Sequence, residues 1–178
     1  MVSEKEKTGP DSESAVDLRK DQAFKELIHD GYILAAIIGG VIPEFKGRTR
    51  DEILKCLQTG ANGRYVKGRD TESVSSENGP IIRDSVFDVK LPESEGDMEV
   101  IVSIEGQGPG MSEAELVNRE QIYSSRLICD QGNGMRNSDL YKNLKKTVSI
   151  WVKLSPGASE KNRIVHDYRV REFSDGSG

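Results

Sequence analysis

Cysteine is scarce in this chain: only Cys56 and Cys129 occur among 178 residues. Two cysteines do not make the disulfide framework of a small secreted domain, and both lie in segments with helical periodicity. We therefore expect buried, reduced thiols in a cytoplasmic protein. Long apolar runs are also missing, because no stretch approaches the roughly 18 residues of a membrane span. The polar residues 1–14 lack the apolar segment of a secretory signal, so the sequence predicts no association with a membrane.

The sequence also lacks an excess of positive charge. The net charge is −5, with 31% charged and 35% hydrophobic residues. A protein that coats nucleic acid by bulk attraction usually has a strongly basic balance, so this class is disfavoured. A nuclease is not excluded, because acidic metal sites add negative charge and basic residues can still cluster locally.

Periodicity divides the chain into one predicted domain, residues 21–172, between disordered tails at 1–20 and 173–178. Ser112 with Glu115 predicts a capping box at the start of one helix. In chain order, the predicted elements are helices over 21–38 and 50–57, a short strand over 64–70, strands over 81–91 and 98–107, helices over 112–131 and 139–146, and a strand over 147–154. This order predicts an α/β domain with a small mixed sheet.

The two central strands predict a β-hairpin whose apolar residues alternate. A register with Glu93 opposite Met98 matches three apolar pairs on one face, and a slip of one residue would mix the faces. These pairs are Phe87 with Ile104, Val89 with Val102, and Leu91 with Val100. The other face would then carry the polar residues of both strands.

On that polar face, the register predicts Asp88 opposite Ser103 and diagonal to Glu105, roughly 7–8 Å away. Gln107 and Lys90 continue the same face. Two carboxylates from adjacent strands suit Mg²⁺, with Mn²⁺ as an alternative, because such an ion prefers oxygen ligands and often uses one or two carboxylates beside a phosphate. The alternative is that Asp88 and Glu105 are solvated residues on an exposed face.

The run of residues 85–107, followed by 119–131 and 147–154, resembles the PD-(D/E)XK nuclease family transposases, a group that includes the recombination-promoting nucleases. Residues 21–47 and 70–81 are also similar to that family. The likeness covers about residues 21–170 and depends on the order and spacing of the motifs together. It implies a restriction-endonuclease-like core, αβββαβ, with the small mixed sheet flanked by helices.

The resemblance also implies roles for three residues. Asp88 and Glu105 take the positions of the carboxylates that bind Mg²⁺, and Gln107 takes a position that is usually lysine in the superfamily and commonly glutamine in this branch. Glutamine can orient a water but offers only dipoles to an anion. Lys90 is a candidate for the missing positive charge, and the alternative is a solvated strand lysine.

Other candidates rest on weaker patterns, and each has a simpler alternative as a surface or core residue. Glu44 follows the first helix and could approach the metal, and one helix face could contact DNA phosphate. Two basic clusters could offset the acidic total, and a lone histidine is expected to be structural or exposed. These are Arg119, Tyr123 and Arg126 on the helix face, Lys142, Lys145 and Lys146 with Arg48 and Arg50 in the clusters, and His166.

Three functions follow in order of preference. The first is a Mg²⁺-dependent DNA endonuclease with low sequence preference, because nothing resembles a base-reading module such as a helix-turn-helix. The second is a catalytically weak or inactive protein of the same fold that binds DNA or another protein. The third is a structural interaction module. The sequence leaves open whether the protein forms a homodimer and whether it acts in DNA recombination.

Overall fold

The computed structural model describes residues 10–60, 63–69, 72–73, 81–92, 99–108 and 110–154. His166 and the predicted tail 173–178 lie outside the described residues. The elements are α1 (Pro10–Ile28), α2 (Gly31–Val41), a 3₁₀ turn (Pro43–Phe45), α3 (Arg50–Leu54), β1 (Glu72–Ser73), β2 (Ile81–Ile82), β3 (Ser85–Lys90), β4 (Glu99–Gln107), α4 (Glu113–Asp130), α5 (Asn137–Asn143) and β5 (Lys146–Lys153).

The central element is a three-stranded mixed sheet in the order β3-β4-β5, with β3 antiparallel and β5 parallel to β4. Helix α4 connects β4 to β5, as the parallel pairing requires. The strands β1 and β2 form a separate short antiparallel pair. The predicted class, mixed α/β with a small mixed sheet flanked by helices, is therefore confirmed.

The predicted strand over 64–70 is wrong. Tyr65 and Val66 form only isolated bridges, to Asp30 and Thr59. Their backbone groups bond to the turn after α1 and to the loop after α3, since Val66 N–H donates to His29 O at 2.9 Å. Arg69 N–H donates to the Val86 carbonyl of β3 at 2.7 Å, but the described residues 63–69 form no strand.

The predicted first helix is two helices. The first ends at Ile28, and Asp30 caps the second, since its carboxylate accepts from the N–H groups of Tyr32 and Ile33. The next residue, Gly31, packs closely against the backbone of Arg64, because a Cβ on Gly31 would lie 2.9 Å from the carbonyl oxygen of Arg64. Helix α1 also begins at Pro10, well before the predicted start at Asp21, so residues 10–20 are helical rather than a disordered tail.

The register of the hairpin differs from the predicted one by two residues. Phe87 lies opposite Val102 and Val89 opposite Val100, while buried Ser85 lies opposite Ile104. A shift of two residues leaves every side chain on its predicted face, so the hydrophobic pattern cannot distinguish the two registers. The predicted faces are right, and the predicted partners across the hairpin are wrong.

The two faces of the sheet are packed differently. On one face, side chains of β3 and β4 form the main core with Phe24, Ile28, Leu34 and Ile38 of α1 and α2. On the other face, under α4, the buried apolar cluster consists of Val86, Ile101 and Leu127. The buried polar side chains of this face, Ser103 and Glu105, follow Ile101 along β4.

Helix α4 begins as predicted, because Ser112 and Glu115 form the capping box. Both cysteines are free thiols, but Cys129 is exposed and Cys56 half-buried, so their predicted burial is wrong. Within the part of the chain that is described, no helix is both long enough and apolar enough to cross a membrane.

Candidate metal and active site

Asp84 and Glu105 meet across β3 and β4. Asp84 precedes β3, one step beyond the pair of Ser85 with Ile104. Its backbone N–H donates to Oε2 of Glu105 at 3.2 Å, and the N–H of Gly106 donates to Oδ2 of Asp84 at 2.7 Å. Glu105 is only 4% exposed. The structure thus places two acidic residues next to each other at the end of the β3–β4 pair.

The environment of Glu105 favours its protonated form. Burial raises the pKa of Glu105 to about 7, and the nearby charge of Asp84 acts in the same direction. Hydrogen bonds from Ser103 Oγ, at 2.7 Å from Oε1, and from the Asp84 amide act against burial. A divalent cation would stabilise the ionised form, because it compensates the two negative charges.

Arg83 connects this site to α4. Its side chain is 2% exposed, Nη2 donates to the carbonyl oxygen of Tyr123 at 3.2 Å, and Nη1 lies 3.5 Å from Oδ2 of Asp130. Its buried Nε has no hydrogen-bond partner. The positive charge of Arg83 also lowers the pKa of Glu105. A buried cation therefore lies near the two carboxylates and fixes the segment before β3 to the helix.

Asp88 does not lie near Glu105, and the predicted contact between them is wrong. Asp88 pairs with Ile101, four residues before Glu105, which corresponds to roughly 13 Å along the strand. Its Oδ2 lies 3.2 Å from Nε of Arg69, and its buried Oδ1 lies 3.8 Å from Nζ of Lys145. Two cations thus compensate charge on Asp88, while its buried Oδ1 accepts no hydrogen bond from the described residues.

Gln107 remains on the face of Glu105, two residues further along β4. Its Nε2 donates to the carbonyl oxygen of Gly108 at 2.9 Å. Lys90 lies opposite Glu99, eight residues from Gln107, or roughly 27 Å along the strand. The prediction that Lys90 supplies positive charge beside Gln107 is therefore wrong.

Glu44, Lys145 and Lys146 lie at the other end of the sheet, and each is paired with an oppositely charged side chain. Glu44 contacts Lys146, which lies opposite Val100 at the start of β5, so its predicted approach to the metal is wrong. Lys145 contacts Glu99 as well as Asp88. Carboxylates therefore compensate two of the three clustered lysines.

An aromatic pair lies on the β5 side of Glu105. Trp151 is the partner of Glu105 in the parallel register, and its ring meets that of Tyr123 edge to face at 5.4 Å between centroids. The Cζ atom of Arg119 lies 5.2 Å from the Tyr123 ring centroid and 5.5 Å from that of Trp151. Of the predicted helix face, Arg119 and Tyr123 are thus in contact, and Arg126 lies half-buried one turn further.

Asp84, Ser103, Arg83 and Trp151 are site residues that the sequence analysis did not assign. The signal for Asp84 was present: it lies four residues before Asp88, and a register shifted by two pairs it with Glu105 without changing either face. Trp151 could have been found from the parallel pairing of β5 with β4. Arg83 gave no sequence signal, because its burial depends on α4.

The donor set fits Mg²⁺ in chemistry. Asp84 and Glu105 offer carboxylate oxygens beside the Ser103 hydroxyl, and Mg²⁺ commonly binds one or two carboxylates while keeping several waters. Among the described residues, no group of three or more His, Cys, Asp or Glu side chains could hold a metal ion. Any ion here would therefore depend on water and substrate for its other ligands.

No family model matches the chain, and no curated protein or solved structure matches it either. Fold and site define the protein as a class: a mixed α/β domain with two neighbouring carboxylates beneath a crossover helix.

Proposed function

We propose that the protein is a Mg²⁺-dependent DNA endonuclease of the PD-(D/E)XK transposase-associated type, in which Asp84 and Glu105 bind the metal. The observation that carries the proposal is the hydrogen bond from the backbone N–H of Asp84 to the carboxylate of Glu105, which brings the two residues together, with Glu105 almost fully buried. The antiparallel β3–β4 pair, the α4 crossover and the parallel β5 support it, because they are compatible with a restriction-endonuclease-like core.

Each side chain has a defined task in this proposal. A bound Mg²⁺ would supply a Lewis acid and lower the pKa of a coordinated water. Glu105 must release its proton to act as a ligand, and Ser103 orients its carboxylate through the 2.7 Å hydrogen bond. Gln107 can turn its amide from Gly108 towards a water, but it brings no positive charge to the phosphate.

The proposed substrate is the phosphodiester backbone of DNA, read with low sequence preference. Contacts to phosphate fix the position of a protein on DNA but carry no sequence information themselves. The acidic total of −5 does not oppose this, because binding at a metal site depends on local charge. In the reaction, the oxygen of a water forms a bond to phosphorus and the bond from phosphorus to one ester oxygen breaks. That oxygen leaves as a hydroxyl with a proton released by the water, and a nick remains.

Nicking of supercoiled plasmid in Mg²⁺ or Mn²⁺ tests the proposal. We expect Asp84→Asn and Glu105→Gln to abolish nicking, because each removes a charged ligand. Asp88→Asn is the matched control, since it makes the same chemical change on the same face but is paired with Arg69 and Lys145. Activity that survives in both site variants, or that is lost only in Asp88→Asn, contradicts the assignment.

A second candidate function is a binding module on the same scaffold, without strong cleavage. Gln107 favours it, because a neutral amide stands at the position where lysine is usual in the wider superfamily. The plasmid assay separates the two candidates when combined with a DNA-binding measurement. Binding without nicking in either metal supports the module and contradicts the endonuclease.

A further inference from the structure

Arg119 is held by aromatic rings rather than by a carboxylate. Its Cζ lies within 5.5 Å of the ring centroids of both Tyr123 and Trp151, and Nη2 donates to the Tyr123 hydroxyl at 2.9 Å. Cation–π contacts and this hydrogen bond restrict a side chain that is otherwise exposed. The guanidinium is thus partly fixed before any ligand arrives.

Five other arginines of the described chain are paired with carboxylates, and Arg119 differs from these five. The paired ones are Arg48 with Glu52, Arg64 with Asp30, Arg69 with Asp88, Arg83 with Asp130, and Arg136 with Asp139. Among the residues that the structure describes, no carboxylate lies within ion-pair distance of Arg119. A guanidinium has five N–H donors, and the Tyr123 hydroxyl accepts from one nitrogen, so donors remain for an anion.

The position of Arg119 relates it to the two carboxylates. Trp151 is the register partner of Glu105, and paired residues of neighbouring strands share a face of the sheet. One strand spacing, roughly 5 Å, separates Trp151 from Glu105, and the guanidinium of Arg119 lies beside the Trp151 ring on the β5 side of Glu105. A nucleic-acid strand at Asp84 and Glu105 would therefore carry a further phosphate past Arg119.

We propose that Arg119 binds a backbone phosphate of the DNA strand held at the Asp84–Glu105 site. The inference rests on the proposed function, since it assigns a second contact to the same substrate. Phosphate is preferred over a stacked base because the guanidinium already lies near both rings, and because its planar fork matches two phosphate oxygens. Tyr123 and Trp151 are positioning residues that hold Arg119 in place.

The test is fluorescence anisotropy with labelled single-stranded and duplex oligonucleotides, without divalent metal so that cleavage does not interfere. Arg119→Ala is expected to weaken binding about tenfold, the effect of one charge-assisted hydrogen bond, and to lower the salt slope by about one. Arg119→Lys keeps the charge but loses the planar fork of donors, so its affinity for DNA should lie between those of the wild type and Arg119→Ala. Tyr123→Phe keeps the ring but removes the hydroxyl, so a smaller loss is expected.

Arg136→Ala is the charge-matched control, because Arg136 is exposed and paired with Asp139 on α5. Equal loss of affinity in this control and in Arg119→Ala would show a bulk-charge effect and overturn the site. Unchanged melting temperatures in both variants confirm that each one is folded.

Trp151 supplies an independent readout, because it is the single tryptophan of the chain. Added DNA should change its emission in the wild type, and this change should be lost in Arg119→Ala. If Arg119→Ala loses affinity but the wild type never nicks plasmid, the result supports the phosphate site and contradicts the endonuclease activity. If the wild type nicks plasmid and Arg119→Ala binds DNA normally, the result contradicts the phosphate site and supports the endonuclease activity. Failure of the wild type to bind DNA overturns the phosphate site.

Discussion

The backbone N–H of Asp84 donates a hydrogen bond to Oε2 of Glu105 at 3.2 Å, so each residue helps to hold the other in place. The contact places the Asp84 carboxyl group near that of Glu105, whose ionised form is already destabilised by burial. Ser103 and the Asp84 amide offset part of this cost. Glu105, whose pKa is raised to about 7, is thus suited to a change of charge near neutral pH, and metal binding is one way to drive that change.

The raised pKa of Glu105 predicts a pH-dependent stability. The unfolded chain releases this proton near 4.5, whereas the folded chain releases it near 7. Between these values the unfolded state gains by ionising, so the free energy of unfolding should fall as pH rises from 4.5 to 7. The expected loss is about 3 kcal/mol. Urea unfolding at pH 5 and pH 8 measures it.

Glu105→Gln is the control for this pH dependence, because glutamine keeps the shape but does not titrate. The variant should lose this part of the pH dependence and should be more stable than the wild type at pH 8 in the absence of metal. A wild-type protein equally stable at pH 5 and pH 8, or a variant with the same slope as the wild type, would contradict the assignment to Glu105.

Mg²⁺ should stabilise the folded protein more at pH 8 than at pH 5, because the proton competes with the metal for Glu105. A ligand that binds only the folded state raises the melting temperature according to its concentration relative to its Kd. Melting curves with and without MgCl₂ measure the effect. Asp84→Asn should abolish the stabilisation, while Asp88→Asn should retain it. If Asp88→Asn abolished the stabilisation and Asp84→Asn retained it, Asp88 rather than Asp84 would be the metal ligand.

The outcome at Asp84 and Asp88 shows what the sequence could and could not predict. Alternation specifies the face of each residue, because a slip by one residue would bury polar groups. It does not specify the partner, since a shift by two buries the same side chains. Here Ser85 is buried opposite Ile104, where its hydroxyl lies 3.2 Å from Nε2 of His29, and no apolar pattern would predict that contact.

The break between α1 and α2 was equally hard to predict, although Asp30 and Gly31 are common residues at helix ends. The apolar residues continue on both sides of Asp30, so periodicity alone predicts one helix. Arg64 decides the local structure: its side chain contacts the Asp30 carboxylate, and its carbonyl accepts from the N–H of Gly31. Such long-range contacts are not visible in a local pattern.

Gly106 is predicted to be intolerant of a side chain. A Cβ there would lie 2.9 Å from two ring carbons of Phe24, a buried residue of α1. Gly106→Ala should therefore cost about 1–3 kcal/mol of stability through overpacking. Urea unfolding measures this loss, and displacement of β4 should also weaken the Mg²⁺ response of the adjacent Glu105.

A double-mutant cycle with Phe24→Leu tests the cause of that loss. The smaller side chain removes the ring edge, so the double variant should lose less stability than the sum of the two single variants. Strict additivity would show that Gly106→Ala acts through something other than the contact with Phe24. Gly108→Ala is a control, since a Cβ at Gly108 would meet no atom within 4 Å.

Arg83 is predicted to affect both the fold and the ionisation of Glu105. Arg83→Met keeps an unbranched side chain but removes the hydrogen bond to Tyr123 O and the contact with Asp130. The expected loss is about 1–3 kcal/mol. Since the charge of Arg83 lowers the pKa of Glu105, its removal should raise that pKa further and extend the pH-dependent loss of stability upward. Exposed Arg136→Met should change stability by less than about 0.5 kcal/mol. A loss of stability with an unchanged pH profile would assign Arg83 to the fold alone.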